Sequence, residues 1–218
     1  MQGGLKMDYK HMRNELMAQK LIKNFERRNM EAYYCPTKEE VLAKAKELVP
    51  EGSSITWGGS VTIRDIGLTK MFDDGNYKAL DRDKVKNPEE YQSILRKAFE
   101  LDWYLTSANA ITEDGLIVNI DGLGNRVAAI TFGPKNVLFV VSLDKLAKDA
   151  ESAVKRVRTI AAPINAARFD NMKTPCKVDG LCHNCNAPGC ICNFVHIVRN
   201  SGIKNRIKII LMDDNYGF

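Results

Sequence analysis

Three polar loops and a cluster of thiols hold the residue types that could do chemistry in this 218-residue chain. The first loop, Trp57-Gly58-Gly59-Ser60-Val61-Thr62, follows a short apolar run. Its two glycines let a ligand approach the backbone, and the hydroxyls of Ser60 and Thr62 can donate at a helix start, which suits a phosphate or carboxylate. The same residues also make an ordinary glycine turn with a hydroxyl cap. The Gly-Lys-Ser/Thr ending of a nucleotide phosphate loop is absent. The second loop runs from Thr106 to Gly115 and contains Asn109, Thr112 and Glu113. Glu113 has the chemistry of a general base or a nucleophilic carboxylate. Asp114-Gly115 behind it is a strong hairpin-turn signal, and such a turn is expected to leave Asn109, Thr112 and Glu113 near a cleft.

The third loop, Asn119 to Arg126, contains Asp121, Gly122, Gly124 and Asn125. Val127 stands where the dinucleotide fingerprint needs its third glycine, and the residues after the loop read as a strand, so a nucleotide-binding βαβ unit is not expected. Arg126 beside two glycines suits a bidentate grip on a carboxylate or phosphate. The alternative is an Asp121–Arg126 ion pair that merely holds the loop.

Five of the six cysteines stand at 176, 182, 185, 190 and 192. Thiolates select zinc or iron–sulfur clusters. This spacing matches neither the ferredoxin run nor a paired zinc ribbon, so free or redox-active thiols remain an alternative. His183 lies inside the Cys182–Cys185 knuckle and is expected to point away. Cys35, at a strand end, reads as an inert core thiol, and His11 and His196 read as structural. The residues Met-Gln-Gly-Gly-Leu-Lys do not resemble a leader, and no apolar run approaches about 18 residues. A cytoplasmic protein without disulfides and without a membrane span is therefore expected.

Amphipathic segments must position these loops. Residues 8–30 read as a helix with Met12, Leu16, Leu21, Ile22 and Phe25 on one face. Thr37 and Glu40 form a capping box for a second helix, and Asn87-Pro88-Glu89-Glu90 starts a third. Asp144 is expected to cap a fourth that closes near Pro163. Strands are expected at Glu31–Cys35, Ser54–Trp57, Trp103–Thr106, Leu116–Ile120, Val127–Thr131, Val137–Val141 and Ile207–Met212. The alternation predicts an α/β fold, an open and mostly parallel sheet with helices on both faces. The simplest organisation is an N-terminal amphipathic helix in 1–30 and a single α/β domain over 31–218. The Cys-rich segment 170–193 would then be an insertion before the last strand.

Net charge is +5, with 44% hydrophobic and 27% charged residues, which excludes disordered and fibrous classes. The excess of basic residues lies in residues 1–30 and 171–218, while 31–170 is nearly balanced. Nucleic acid is thus not an expected partner.

Taken in order, Gly58-Gly59-Ser60-x-Thr62, Thr106 to Thr112 with Asp114-Gly115, and Asn119-x-Asp121-Gly122-x-Gly124-Asn125-Arg126-Val127-Ala128-Ala129 form a series. This series resembles the lactate-utilisation (LUD) domain proteins. Phe132-Gly133-Pro134-Lys135 and the segment from Pro175-Cys176 to Cys192-Asn193 are similar to their small stand-alone bacterial branch. The resemblance implies the fold seen in sugar-phosphate isomerases and CoA transferases. It also implies an association with the oxidation of lactate to pyruvate beside iron–sulfur redox proteins. That branch usually has arginine at the position of Cys190, which implies Cys176, Cys182, Cys185 and Cys192 as ligands of any zinc or iron–sulfur cluster. The expected partner is a small molecule, a carboxylate, phosphate or CoA ester, held where Gly58, Gly59, Ser60, Asn109, Asp121 and Arg126 line one cleft. A CoA-transferase-like enzyme using Glu113 and a thiol-based metal or redox module are the alternatives. A homo-oligomer is compatible with all three.

Overall fold

The computed structural model describes residues 8–218; the expectation that residues 1–7 carry no leader lies outside them. While the edge strand over Lys78–Leu80 is a partly exposed Lys-Ala-Leu run, the inner strands of the main sheet are short runs of β-branched and aromatic residues, apolar on both faces. Such runs are stable only when helices cover both sides. The strands are β1 (Glu31–Tyr34), β2 (Ser54–Trp57), β3 (Lys78–Leu80), β4 (Trp103–Thr106), β7 (Asn136–Ser142) and β10 (Ile207–Met212), all parallel, in the order β1-β10-β7-β4-β2-β3.

Alternation along β7 and β10 divides the core. Val137, Phe139, Val141, Ile209 and Leu211 face α1 (Tyr9–Glu26), which contributes Ala18, Leu21 and Phe25. Leu138, Val140, Ile210 and Met212 face the other layer, where α2 (Lys38–Leu48) contributes Val41 and Ala45. Ile63 of α3 (Val61–Asp65) and Leu68 and Phe72 of α4 (Leu68–Asp73) complete that layer. On α1 the buried stripe is narrower than expected: Met12 and Leu16 are 48% and 75% exposed, and Asn14 and Ala18 are inside instead. The third expected helix is α5 (Pro88–Lys97), started by Asn87, whose side chain accepts from the amides of Glu89 and Glu90.

A second sheet has the order β8-β5-β6-β9, from β5 (Ala110–Thr112), β6 (Ile117–Asp121), β8 (Leu146–Ala147) and β9 (Phe194–Val198). β6 runs antiparallel to both β5 and β9, while β8 runs parallel to β5. β9 was not expected as a strand, so the segment 170–193 leads into β9 of the second sheet rather than into the last strand of the main one.

Two further expectations are corrected. Val127–Thr131 is not a strand but most of the helix α6 (Asn125–Thr131). Gly124 adopts φ +86°, a left-handed turn open to glycine that reverses the chain directly into the helix. A helix therefore does follow the Gly-x-Gly pair. Asp144 caps no long helix: Leu143–Lys145 is a single tight turn, and α7 (Ala150–Arg156) starts at Asp149, whose carboxylate accepts from the amide of Ser152. The helical path does not stop at Pro163 either. A wide π-type turn (Val157–Ala161) precedes α8 (Ala162–Ala167) and absorbs the hydrogen bond that proline cannot donate. α9 (Pro175–Asp179) is a single short helix at the start of the thiol-rich segment.

Candidate functional site

In an open parallel sheet the loops after the strand ends converge on one edge. Here they enclose a cleft of about 450 Å³. Gly59, Ser60 and Thr62 come from the loop after β2, Ser107 and Asn109 from that after β4, and Arg82 from that after β3. Asp121, Gly122, Asn125 and Arg126 come from the end of β6 and the start of α6, and Lys145 from the turn after β7. Arg168 and Phe169 lie just beyond α8, and Ile191 and Phe218 complete the wall.

The third loop is held by its own arginine. Arg126 Nε donates to Asp121 Oδ2 at 3.0 Å, Nη1 to Asn119 Oδ1 at 3.3 Å, and Nη2 to Asn109 Oδ1 at 3.1 Å and to the carbonyl of Ile120. A guanidinium has five N–H groups, so four are committed to the protein and one remains. The Asp121–Arg126 pair is thus the loop-holding one, and the second oxygen of Asp121 accepts from the amide of Gly124 at 2.7 Å. Asn109 is fixed from both sides, because its Oδ1 accepts from the amide of Ile120 and its carbonyl accepts from Arg156.

The first loop divides by role. Gly59 faces the cleft, where a Cβ would stand 2.6 Å from Arg82 Nη2, so glycine lets that guanidinium lie across the turn. Gly58 lies behind the wall against the Tyr104 hydroxyl, which a Cβ would approach to 2.8 Å. Burial raises that phenol to about 12. Ser60 caps α3 through the amide of Ile63. Thr62 donates to the carbonyl of Tyr216 at 3.0 Å and accepts from Lys145 Nζ at 2.9 Å.

Thr112, Glu113 and Gly124 are not on the cleft wall. Thr112 is buried, donating to Asp114 and accepting from the amide of Leu116. Glu113 sits in a separate groove between α1 and β8, bridged to Lys148 at 3.0 Å and Lys20 at 3.5 Å. Its carboxyl is held below the usual range chiefly by the hydrogen bond from Lys148.

Arg82, Lys145 and Arg168 are cleft cations that sequence reasoning missed. Each lacks a carboxylate at hydrogen-bonding distance among the described residues. Arg82 Nε is buried with no partner and comes no closer to Asp83 than 3.7 Å. Arg168 donates to Asn165 Oδ1 and rests against the rings of Phe169 and Phe218. Lys145 is 1% exposed and meets only hydroxyls. Arg64, by contrast, is neutralised by Asp83. The one sequence signal for Lys145 was its place at the carboxyl end of an apolar strand.

The thiol-rich segment borders the cleft, with Asn193 Nδ2 donating to the carbonyl of Gly122 at 2.9 Å. A Cβ on Gly122 would stand 3.1 Å from Ile191 Cα. Cys192 is half-buried and raised to about 12, first by burial and then by the neighbouring thiols Cys190, Cys182 and Cys176. Cys190 Sγ accepts from the amide of Cys192. Among the described residues no three metal-binding side chains are placed to hold a metal ion. Cys35 is buried. His196 meets Thr131, and His11 pairs with Asp213 at 2.7 Å, which raises its pKa. No described helix is long and apolar enough to cross a membrane.

A DUF162 family protein from Deinococcus radiodurans has a similar crystal structure, at a TM-score of 0.52 and 15% identity over 92% of this chain and 98% of that one. Ribose 5-phosphate isomerase A from Methanocaldococcus jannaschii aligns at a TM-score of 0.34 and 18% identity, over 52% of this chain and 55% of its own. A Pseudomonas malonate decarboxylase hetero-tetramer in complex with malonate aligns at 0.33 and 10% identity, over 66% of this chain and 35% of that one. No curated protein matches the chain in sequence. The model of the LUD domain covers residues 18–212, and the chain belongs to the LUD domain family.

Proposed function

We propose that this protein binds a small organic acid, or its phosphorylated or CoA-linked derivative, in the cleft between the two sheets, and that it serves lactate utilisation. One observation carries the reading. The cleft wall holds five cationic side chains against two carboxylates, and three of the cations, Arg82, Lys145 and Arg168, have no carboxylate at hydrogen-bonding distance among the described residues. A partly dehydrated cation without a counter-charge is costly, and an anionic ligand supplies the missing charge. The volume suits a small metabolite. Arg126 and Asn109 build the wall and offer one spare N–H, while Arg82 and Arg168 make the main grip.

A thermal-shift panel of lactate, pyruvate, phosphoglycerate and acetyl-CoA at low salt tests this. At least one ligand is expected to raise Tm, by the stabilisation that native-state binding confers. Arg82→Ala and Arg168→Ala should each weaken the ligand's affinity about tenfold, read from the ligand concentration that a given Tm rise requires. A panel that leaves Tm unchanged throughout sinks the reading.

A second reading, a zinc or iron–sulfur cluster held by Cys176, Cys182, Cys185 and Cys192, draws on the closeness of Cys176 and Cys182 to Cys192, whose thiol they help to raise. As placed, these thiols do not form a complete ligand set, so a metal would have to draw them together. Elemental analysis and an absorption spectrum of anaerobically purified protein decide it, since a colourless, zinc-free preparation removes the metal.

A further inference from the structure

Lys145 is the least expected member of the cleft. Its side chain is buried, and two hydroxyls surround its nitrogen: Thr62 Oγ1 at 2.9 Å and Ser107 Oγ at 3.4 Å. Both hydroxyls spend their own hydrogens elsewhere, Thr62 on the carbonyl of Tyr216 and Ser107 on that of Ala108. They therefore act towards Lys145 as acceptors. A neutral amine has two N–H hydrogens and one lone pair, so two acceptors satisfy its hydrogens and leave the lone pair free. An ammonium would carry a third hydrogen, and the described residues offer it no partner at hydrogen-bonding distance. The surroundings agree. Burial lowers this amine to about 8, the Asp144 charge opposes the change, and Arg156 and Arg126 add to it.

We propose that Lys145 is a nucleophilic amine that condenses with the carbonyl carbon of an anionic aldehyde or ketone, a 2-oxo acid or a phosphorylated aldehyde, whose acid group the cleft arginines hold. This rests on the anion-binding reading above and names its substrate class. The Nζ lone pair forms the C–N bond while the C=O π pair moves to oxygen. A proton passes from nitrogen to that oxygen to give the carbinolamine. Loss of one water then leaves an imine, with no change of oxidation state. Neither Thr62 nor Ser107 is consumed, and each can relay a proton to the leaving oxygen. Lys148, exposed and paired with Glu113 in the other groove, has none of these features.

The test is reductive trapping. Protein is incubated with pyruvate, glyoxylate or glycolaldehyde phosphate, reduced with borohydride and mapped by peptide mass spectrometry, and each probe's Tm shift is measured without reductant. At least one probe is expected to label Lys145 at least tenfold over any other lysine. Labelling should reach half its maximum near pH 8. Lys145→Met should lose the label while its circular dichroism matches wild type, and Lys148→Met should keep it. A probe that raises Tm yet leaves Lys145 unlabelled overturns the amine assignment and spares the binding reading. Probes that neither shift Tm nor label Lys145 overturn the amine assignment, and the binding reading falls with it only if lactate, phosphoglycerate and acetyl-CoA also leave Tm unchanged. Label spread evenly over surface lysines also overturns the assignment.

Discussion

Lys145 has an energetic consequence that is independent of any ligand. Folded, its amine titrates near pH 8, while in the unfolded chain it titrates at its ordinary value above pH 10. Between those values the unfolded state holds the extra proton, so stability rises with pH across the window and is lowest below it. Below pH 8 the charged amine costs the fold about 3 kcal/mol. Its two hydrogen bonds to hydroxyls return roughly 1 kcal/mol. Lys145→Met is therefore expected to be more stable than wild type at pH 7 by about 2 kcal/mol. That advantage over wild type should shrink as pH rises from 8 to 10, as urea unfolding of both proteins at each pH would show. The motif residues Asn109, Asp121 and Arg126 could be read as one constellation from their spacing, and they do meet. Arg82, Lys145 and Arg168 could not. In a chain where 27% of residues are charged, a cation's identity says nothing about whether its neighbour in space is an acid or a hydroxyl.

Among elements, α6 shows what local patterning conceals. Val127-Ala128-Ala129-Ile130-Thr131 has the β-branched content of a strand, yet it is helical because Gly124 turns the chain and a distant residue secures the other end. Arg206, 7% exposed, donates through Nε to the carbonyl of Pro134 at 3.0 Å, through Nη2 to that of Ala129 at 3.1 Å, and through Nη1 to that of Ile130. The guanidinium thus satisfies the carbonyls of Ile130 and Pro134, adds a second donor to the Ala129 carbonyl that the amide of Gly133 already meets, and opposes the negative end of the α6 dipole. The contact spans more than seventy residues, and no local window could contain it. Arg206→Ala is expected to lower stability by about 3 kcal/mol, chiefly by leaving buried carbonyls without donors. A loss under about 1 kcal/mol in chemical denaturation would show that water replaces it. The inner strands of the main sheet were readable because they are buried on both faces and so stand out as unbroken apolar runs, whereas β3, a partly exposed Lys-Ala-Leu run at the sheet's edge, was not expected. The edge strand β9 was not, since Phe194, Val195 and Ile197 are exposed and alternate with nothing polar enough to mark a face.

On the scale of the molecule, the main sheet supplies a rigid floor and the second sheet, with α6 and α8, supplies the opposite wall. Recognition at such a site is largely Coulombic, so ligand affinity should fall with salt. An acid that raises Tm at low ionic strength is expected to lose most of that shift when salt is raised from about 0.01 M to 0.15 M, where the Debye length drops to about 8 Å. A shift unaffected by salt would mean that apolar contacts, not the arginines, hold the ligand. The thiol-rich segment is part of this wall through Ile191 and Asn193, so its state bears on the cleft's shape as well as on any metal it binds.

The last stretch of chain meets the cleft more intimately still. Asp213 is tied to His11 and to the hydroxyl of Tyr34, and Tyr216 is tied to Ser142 and Thr62. Gly217, at φ +71°, passes so close to Thr62 that a Cβ would come within 2.4 Å of its hydroxyl, and Phe218 forms part of the wall. Anything joined after Phe218 therefore departs from the rim of the binding site. An affinity handle fused there starts its linker at the cleft wall.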